Sequence, residues 1–172
     1  MSESTRYVFD SKGYAHYVLD QEYSMSCGPA CIAMVESYYK QVCLIGPEKR
    51  AQIISQQYPG AFSLEHGTHM ENMSHVLNKE GVKAYGVTQV TPDKMFDYFY
   101  QFVGDGKKGT SAIISITWAG GNRHAVICRM VYPDQTVVFL DPTFGVVEVK
   151  RADLPRYWKT GQLNGRFVFT HK

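Results

Sequence analysis

Cys27-Gly28-Pro29-Ala30-Cys31-Ile32-Ala33-Met34-Val35-Glu36-Ser37-Tyr38-Tyr39 reads as a helix that begins at a cysteine. Proline two residues in suits a first helical turn, where its missing N–H is not needed. Ala30, Ile32, Ala33, Met34 and Val35 leave almost no polar face, so the helix belongs in the centre of a core. Cys27 then sits at the positive end of the helix dipole, where free N–H groups favour a thiolate. A thiolate is the form that a cysteine nucleophile needs at neutral pH. Gly28 is expected to leave open space beside the sulfur. Gln21, in a loop upstream, could share a developing oxyanion with the Cys27 N–H, each donor contributing about 3 kcal/mol.

Outward from this helix, Tyr7–Phe9 and Tyr14–Leu19 flank the turn Ser11-Lys12-Gly13 and read as a small hairpin. A second helix is expected over Glu48–Gln57. Thr68-His69-Met70-Glu71 has the capping-box pattern and should open a helix that Gly81 stops. Thr91-Pro92 caps a helix running to Val103. Beyond it the pattern changes to β-branched and aromatic runs at 112–117, 125–132, 137–140, 146–149 and 167–170, separated by turn residues. Helices first and antiparallel strands later give an α+β domain, with a groove between the halves as the natural ligand site.

The base must come from the strand half. His124 stands just before the run at 125, and Asp141 just after the run ending at 140. A turn near Pro133-Asp134 would pair these runs antiparallel, so the start of one lies opposite the end of the other. His124 and Asp141 become neighbours, the geometry in which a carboxylate fixes an imidazole tautomer. Asp141 before Pro142 could equally cap its own turn, and the two roles are compatible.

Bulk properties narrow the choices. With 172 residues, 44% hydrophobic and 20% charged, the chain fits one domain over residues 1–172 with a sizeable core. A net charge of +2 argues against nucleic acid as partner. The last 27 residues carry six basic and two acidic side chains, a mild basic edge. Four cysteines, no apolar leader at Met1–Asp10 and no run of membrane-span length point to synthesis in a reducing cytoplasm. Export by a route without a signal peptide would leave no trace in such a sequence.

Other candidates weigh less. Cys31, Cys43 and Cys128 read as structural, and Cys27-x3-Cys31 has one residue too many for a thioredoxin-type pair. His66, His69 and His75 with Glu65 and Glu71 match no strong metal motif, and no metal or cofactor is implied. His16 and His171 have no evident partner. Phe96, Tyr98, Phe99, Tyr100 and Phe102 read as a packed helix, Trp118 as core, and Arg123 as solvent-facing.

Gln21-x5-Cys27-Gly28-Pro29-Ala30, a histidine at a strand start, and Asp141-Pro142-x-x-Gly145 together resemble the papain-like peptidases that process bacteriocin leaders with a double-glycine motif. The resemblance runs from about Asp20 to Val149, and Thr68–Val87 is similar to that family's middle helix, glycine and strand. It implies a papain-like fold, with the nucleophile on a central helix packed against an antiparallel sheet. It also implies Cys27 as nucleophile, His124 as base, Asp141 as orienter and Gln21 in the oxyanion hole of a cysteine peptidase. Its partners would be a protein or peptide substrate and an inhibitor or immunity protein. Two features depart from the family: Ser26 stands where an acid is common, and neither membrane segments nor a nucleotide-binding motif accompany the domain. Free-standing domains of this kind also resemble proteases delivered as toxins or effectors. A deamidase, transglutaminase or acyltransferase would use the same acyl-enzyme, and an inert binding module would keep only the fold.

Overall fold

The computed structural model describes residues 5–40, 46–87, 91–107, 110–117, 123–157 and 167–171. Cys43, Trp118 and the Gly120-Gly121 turn lie outside them. The quoted stretch forms helix α1 (Cys27–Lys40), buried at every position from Gly28 to Glu36. Gly28, Ile32 and Val35 are poor helix formers, each costing a few tenths to about 1 kcal/mol. Full burial of a side chain such as Ile32 or Met34 returns about 1.5–3 kcal/mol, so packing rather than propensity holds α1.

Before α1 comes the hairpin β1 (Thr5–Phe9) and β2 (Ala15–Leu19). After it come α2 (Pro47–Gln57), the two-residue strands β3 (Phe62–Ser63) and β4 (Gly67–Thr68), α3 (Met70–Lys79) and β5 (Lys83–Val87). Helix α4 (Pro92–Tyr98), capped by the Thr91 hydroxyl, runs into a π-helical turn (Phe99–Val103). The strands β6 (Thr110–Thr117), β7 (Arg123–Val131), β8 (Thr136–Asp141) and β9 (Gly145–Lys150) follow as a meander. A 3-10 turn (Arg151–Asp153), α5 (Leu154–Tyr157) and β10 (Phe167–His171) complete the order.

One six-stranded sheet, all antiparallel, has the order β5-β10-β6-β7-β8-β9. Alternation along the strands gives each face its own core. Ile113, Ala125, Ile127 and Leu140 pack with α1 and α3. Ile114, Val126, Cys128 and Phe139 pack with α4, the π turn and Leu154. The fold is α+β and papain-like, with α1 central. Among the described residues no helix is long and apolar enough to cross a membrane.

Three local expectations need correction. Thr68 does not cap α3: it pairs with Phe62 in β4, its buried Oγ1 has no hydrogen-bond partner among the described residues, and His69 holds the cap position without a side-chain bond. His16 does have a partner: it is buried, with Nε2 2.7 Å from Asp10 Oδ2. The aromatic run is only half core, since Phe96 and Phe99 are buried while Tyr100 and Phe102 are exposed, stacked on Phe96 and Tyr98.

Candidate active site

The approach to α1 is a tight loop. The Ser26 hydroxyl accepts from Tyr23 N at 3.0 Å and donates to Tyr23 O at 2.9 Å, while the Ser26 carbonyl accepts from Ala30 N. Ser26 is thus spent on the turn that aims the chain into the helix. Cys27 follows as the first helical residue, half-buried and with a free thiol. An α-helix leaves its first-turn N–H groups without intrahelical acceptors, so the Cys27 sulfur lies beside available donors.

Gly28 does not leave open space. A Cβ built there would meet Thr68 Cβ and Oγ1 at 2.7 Å and Met73 Cε at 3.0 Å. The missing side chain lets β4 and α3 press against the start of α1. The sequence gives no separate signal for Thr68 in this place, because its pattern is already read as a cap.

β7 and β8 form the expected hairpin around a turn in which Tyr132 O accepts from Gln135 N. A bulge between Cys128 and Met130 shifts the register, so Ile127 faces Leu140. Continued one pair further, this register puts Val126 opposite Asp141, and His124 reaches Asp141 along the diagonal, a distance long side chains span. His124 lies within β7 rather than ahead of it. Its Nε2 is 2.8 Å from Asp141 Oδ1, and both residues are buried.

Asp141 has no exposed surface. Its Oδ1 also accepts from Thr143 N at 2.8 Å and Phe144 N at 3.3 Å, so the carboxylate caps its own turn as well as holding the imidazole. Gly145 closes the turn with φ +85°, a backbone conformation that glycine adopts without strain.

The other side of the imidazole hydrogen-bonds the Cys27 thiol. Burial works against a charged His124, but the hydrogen bonds and charges of Asp141 and Cys27 outweigh it and hold the group up at about 9. With Nε2 taken by Asp141, the nitrogen left for sulfur is Nδ1. Three of the four candidate residues therefore meet: Cys27 from α1, His124 from β7 and Asp141 from β8.

Gln21 joins them through the Asp141 turn. Its backbone N donates to Pro142 O at 2.8 Å, and its Oε1 accepts from the Thr143 hydroxyl at 3.0 Å. Its Nε2 donates to the carbonyls of Tyr23 and Ser24, at 2.7 and 3.3 Å. Thr143 thus ties Gln21 and Asp141 together, a role hidden in the sequence behind the unspecified positions of the Asp-Pro-x-x-Gly turn.

The remaining candidates stand apart. Cys31 and Cys128 are fully buried; burial first, then the charges of Cys27 and Asp141, pushes the Cys31 thiol well up. Arg123 is exposed. His66 is exposed beside Glu65, and His75 meets the Tyr58 ring edge-on. One cavity lies away from the four candidate residues. A cavity of about 450 Å³ opens between β1–β2, the carboxyl-terminal half of α1 and β7, lined by Tyr7, Tyr14, Tyr38 and Arg129 among others and by none of the four candidate residues.

A family model described as "Peptidase C39 family" matches residues 15–163. Among solved structures, a double-glycine motif protease from an AMS/PCAT transporter, in complex with the leader peptide, has a TM-score of 0.60 and 21% identity, covering 90% of this chain and 91% of that one. The Pseudomonas avirulence protein AvrPphB has a TM-score of 0.40 and 11% identity, over 86% of this chain and 91% of that one. No curated protein matches the chain.

Proposed function

The chain belongs to the peptidase C39 family and is a cysteine-type peptidase, and on that premise we propose that Cys27, His124 and Asp141 are its catalytic triad. The observation that carries the proposal is the imidazole of His124, held by Asp141 Oδ1 at 2.8 Å on one side and hydrogen-bonded to the Cys27 thiol on the other. That arrangement places the imidazole to take the thiol proton.

In this reading the Cys27 thiolate attacks the scissile carbonyl carbon, and the carbonyl oxygen becomes an oxyanion. The imidazolium of His124 gives its proton to the leaving amine as the C–N bond breaks, which leaves a thioester on Cys27. Water then attacks the thioester, His124 takes its proton, and the thiolate leaves. Asp141 keeps the imidazole in the tautomer and orientation both steps require.

The Cys27 N–H is the first oxyanion donor. Gln21 is the second, entering by exchanging its Tyr23 and Ser24 carbonyl contacts for the oxyanion when substrate binds. Each donor is worth about 3 kcal/mol of barrier. Thr143 keeps Gln21 in reach through its grip on Oε1.

The substrate we propose is a peptide with a leader segment, by extension from the protease solved with its leader peptide. The test compares wild type and Cys27→Ala on a peptide mixture and a proteome, reading new amino termini by mass spectrometry. New termini only with wild type are expected. A one-unit mass gain on a side chain without chain cleavage would overturn the reading in favour of deamidation.

A further inference from the structure

Asp141 keeps one oxygen out of the network. Oδ1 takes His124, Thr143 N and Phe144 N, whereas Oδ2 is buried without a hydrogen-bond partner among the described residues. A buried carboxylate oxygen is ordinarily satisfied by a donor. The hydroxyl of Tyr157, the last residue of α5, is likewise buried and unpartnered. One is an acceptor lacking a donor, and the other is a donor lacking an acceptor.

Their placement brings them to the same part of the molecule. The Tyr157 ring stacks on Phe139, with centroids 5.0 Å apart and planes at 23°. Phe139 is two residues before Asp141 on β8, and residues two apart on a strand share a side of the sheet. The ring therefore lies along the row that ends in the Asp141 carboxylate. The same chain contains a related tyrosine–aspartate–histidine cluster, in which the Tyr132 hydroxyl donates to Asp10 Oδ2, there the same oxygen that His16 engages.

We propose that Tyr157 is a positioning residue of the peptidase, its hydroxyl donating to Oδ2 of Asp141 in the working enzyme. The role rests on the triad proposed above. Two supported oxygens would hold the buried carboxylate in place against the His124 imidazole, and so hold that ring toward the Cys27 sulfur. Burial first, and then the charges of Asp141 and Cys31, push the Tyr157 phenol up, so it keeps its proton to donate. The titratable groups in play are His124 from β7, Cys27 and Cys31 from α1, and Tyr157 from α5.

The test needs no substrate. The rate of Cys27 alkylation by iodoacetamide is measured against pH in wild type, Tyr157→Phe and the exposed control Tyr100→Phe. Losing the donor loosens the carboxylate's hold on the His124 imidazole, so Tyr157→Phe should move the acid limb upward by about half a pH unit or more. The Tyr100→Phe control should not move. A Tyr157→Phe limb that coincides with wild type overturns the proposal while leaving the triad standing. A wild-type profile lacking any limb below neutral sinks the triad reading itself. If Tyr157→Phe does not fold, wild type and Asp141→Asn with 13C-labelled tyrosine are compared instead. The Tyr157 Cζ resonance should move between them, and an unmoved resonance overturns the proposal.

Discussion

The described residues hold two buried histidine–aspartate pairs of nearly equal length, His124–Asp141 at 2.8 Å and His16–Asp10 at 2.7 Å. Their surroundings differ. Asp10 is saturated: Oδ1 accepts from Lys12 N and Tyr14 N, and Oδ2 takes His16 and the Tyr132 hydroxyl. Each of its contacts ties the β1–β2 hairpin together or to the Tyr132 turn, helped by Lys12–Asp134 and Ser11–Glu148. Asp141 instead holds an imidazole whose other side meets a thiol at a helix start. On the function proposed above, the group on the far side of the ring decides whether such a pair fastens a fold or moves a proton.

The largest expected effect tests that distinction directly. Cys27→Ala and His124→Ala should each lower kcat about a thousandfold or more, and Asp141→Ala about a hundredfold less severely than either. His16→Ala should leave the rate per folded molecule within about threefold, since it touches no reacting atom. Steady-state kinetics normalised to folded protein read this. A His16 variant as inactive as the His124 variant would erase the difference between the pairs.

The reverse holds for stability. Asp10→Ala leaves a buried imidazole and a buried phenol without their acceptor, and breaking a buried pair by removing one partner costs about 3 kcal/mol or more. Urea unfolding should show that loss, with cleavage persisting in the fraction that stays folded. A loss below about 1 kcal/mol would mean that the hairpin is not fastened by this network.

How far each pair was legible in the sequence follows from the same contrast. His124 and Asp141 flank two apolar runs joined by a Pro133-Asp134 turn, so antiparallel geometry alone brings them together. The bulge at Cys128/Met130 was not legible, because one extra residue changes register without changing composition. His16 and Asp10 were missed because their contact depends on how the Ser11–Gly13 turn folds back, and short polar side chains around a turn carry no periodic signal. Thr68 misled because a hydroxyl followed three residues later by Glu fits both a cap and a strand end. The place of β10, between β5 and β6, comes from long-range pairing, which a local pattern does not encode.

A smaller effect probes the helix start that lies beside the proposed catalytic pair. Gly28→Ala would drive a Cβ against Thr68 Cβ and Oγ1 at 2.7 Å. Overpacking of this kind costs about 1–3 kcal/mol, and the relief available is to shift α1 away from β4. Cys27 would move with its helix, so thermal stability and the Cys27 alkylation rate should fall together. Both staying at wild-type values would show that Thr68 yields freely and that the glycine is not what seats the nucleophile.

The subtlest separation is by pH, where the two networks should fail at opposite ends. For Asp10, burial raises the carboxyl, but the bonds from His16, Tyr132, Tyr14 and Lys12 outweigh it and hold the group at about 2. A folded value below the unfolded one means that its stabilisation is present above about pH 4 and is lost as pH falls toward about 2. For His124 the sign is reversed. The imidazole is held at about 9 in the fold against about 6.5 unfolded. Its stabilisation is therefore complete below about 6.5 and is lost as pH rises through about 9, when the imidazole gives up its proton. Unfolding measured across pH should lose its acid arm in Asp10→Asn and its alkaline arm in His124→Gln. The alkylation profile of Cys27 should feel only the second substitution. If Asp10→Asn moved the alkylation profile as far as His124→Gln does, the hairpin pair and the triad would be one coupled network, and their division of labour would be wrong.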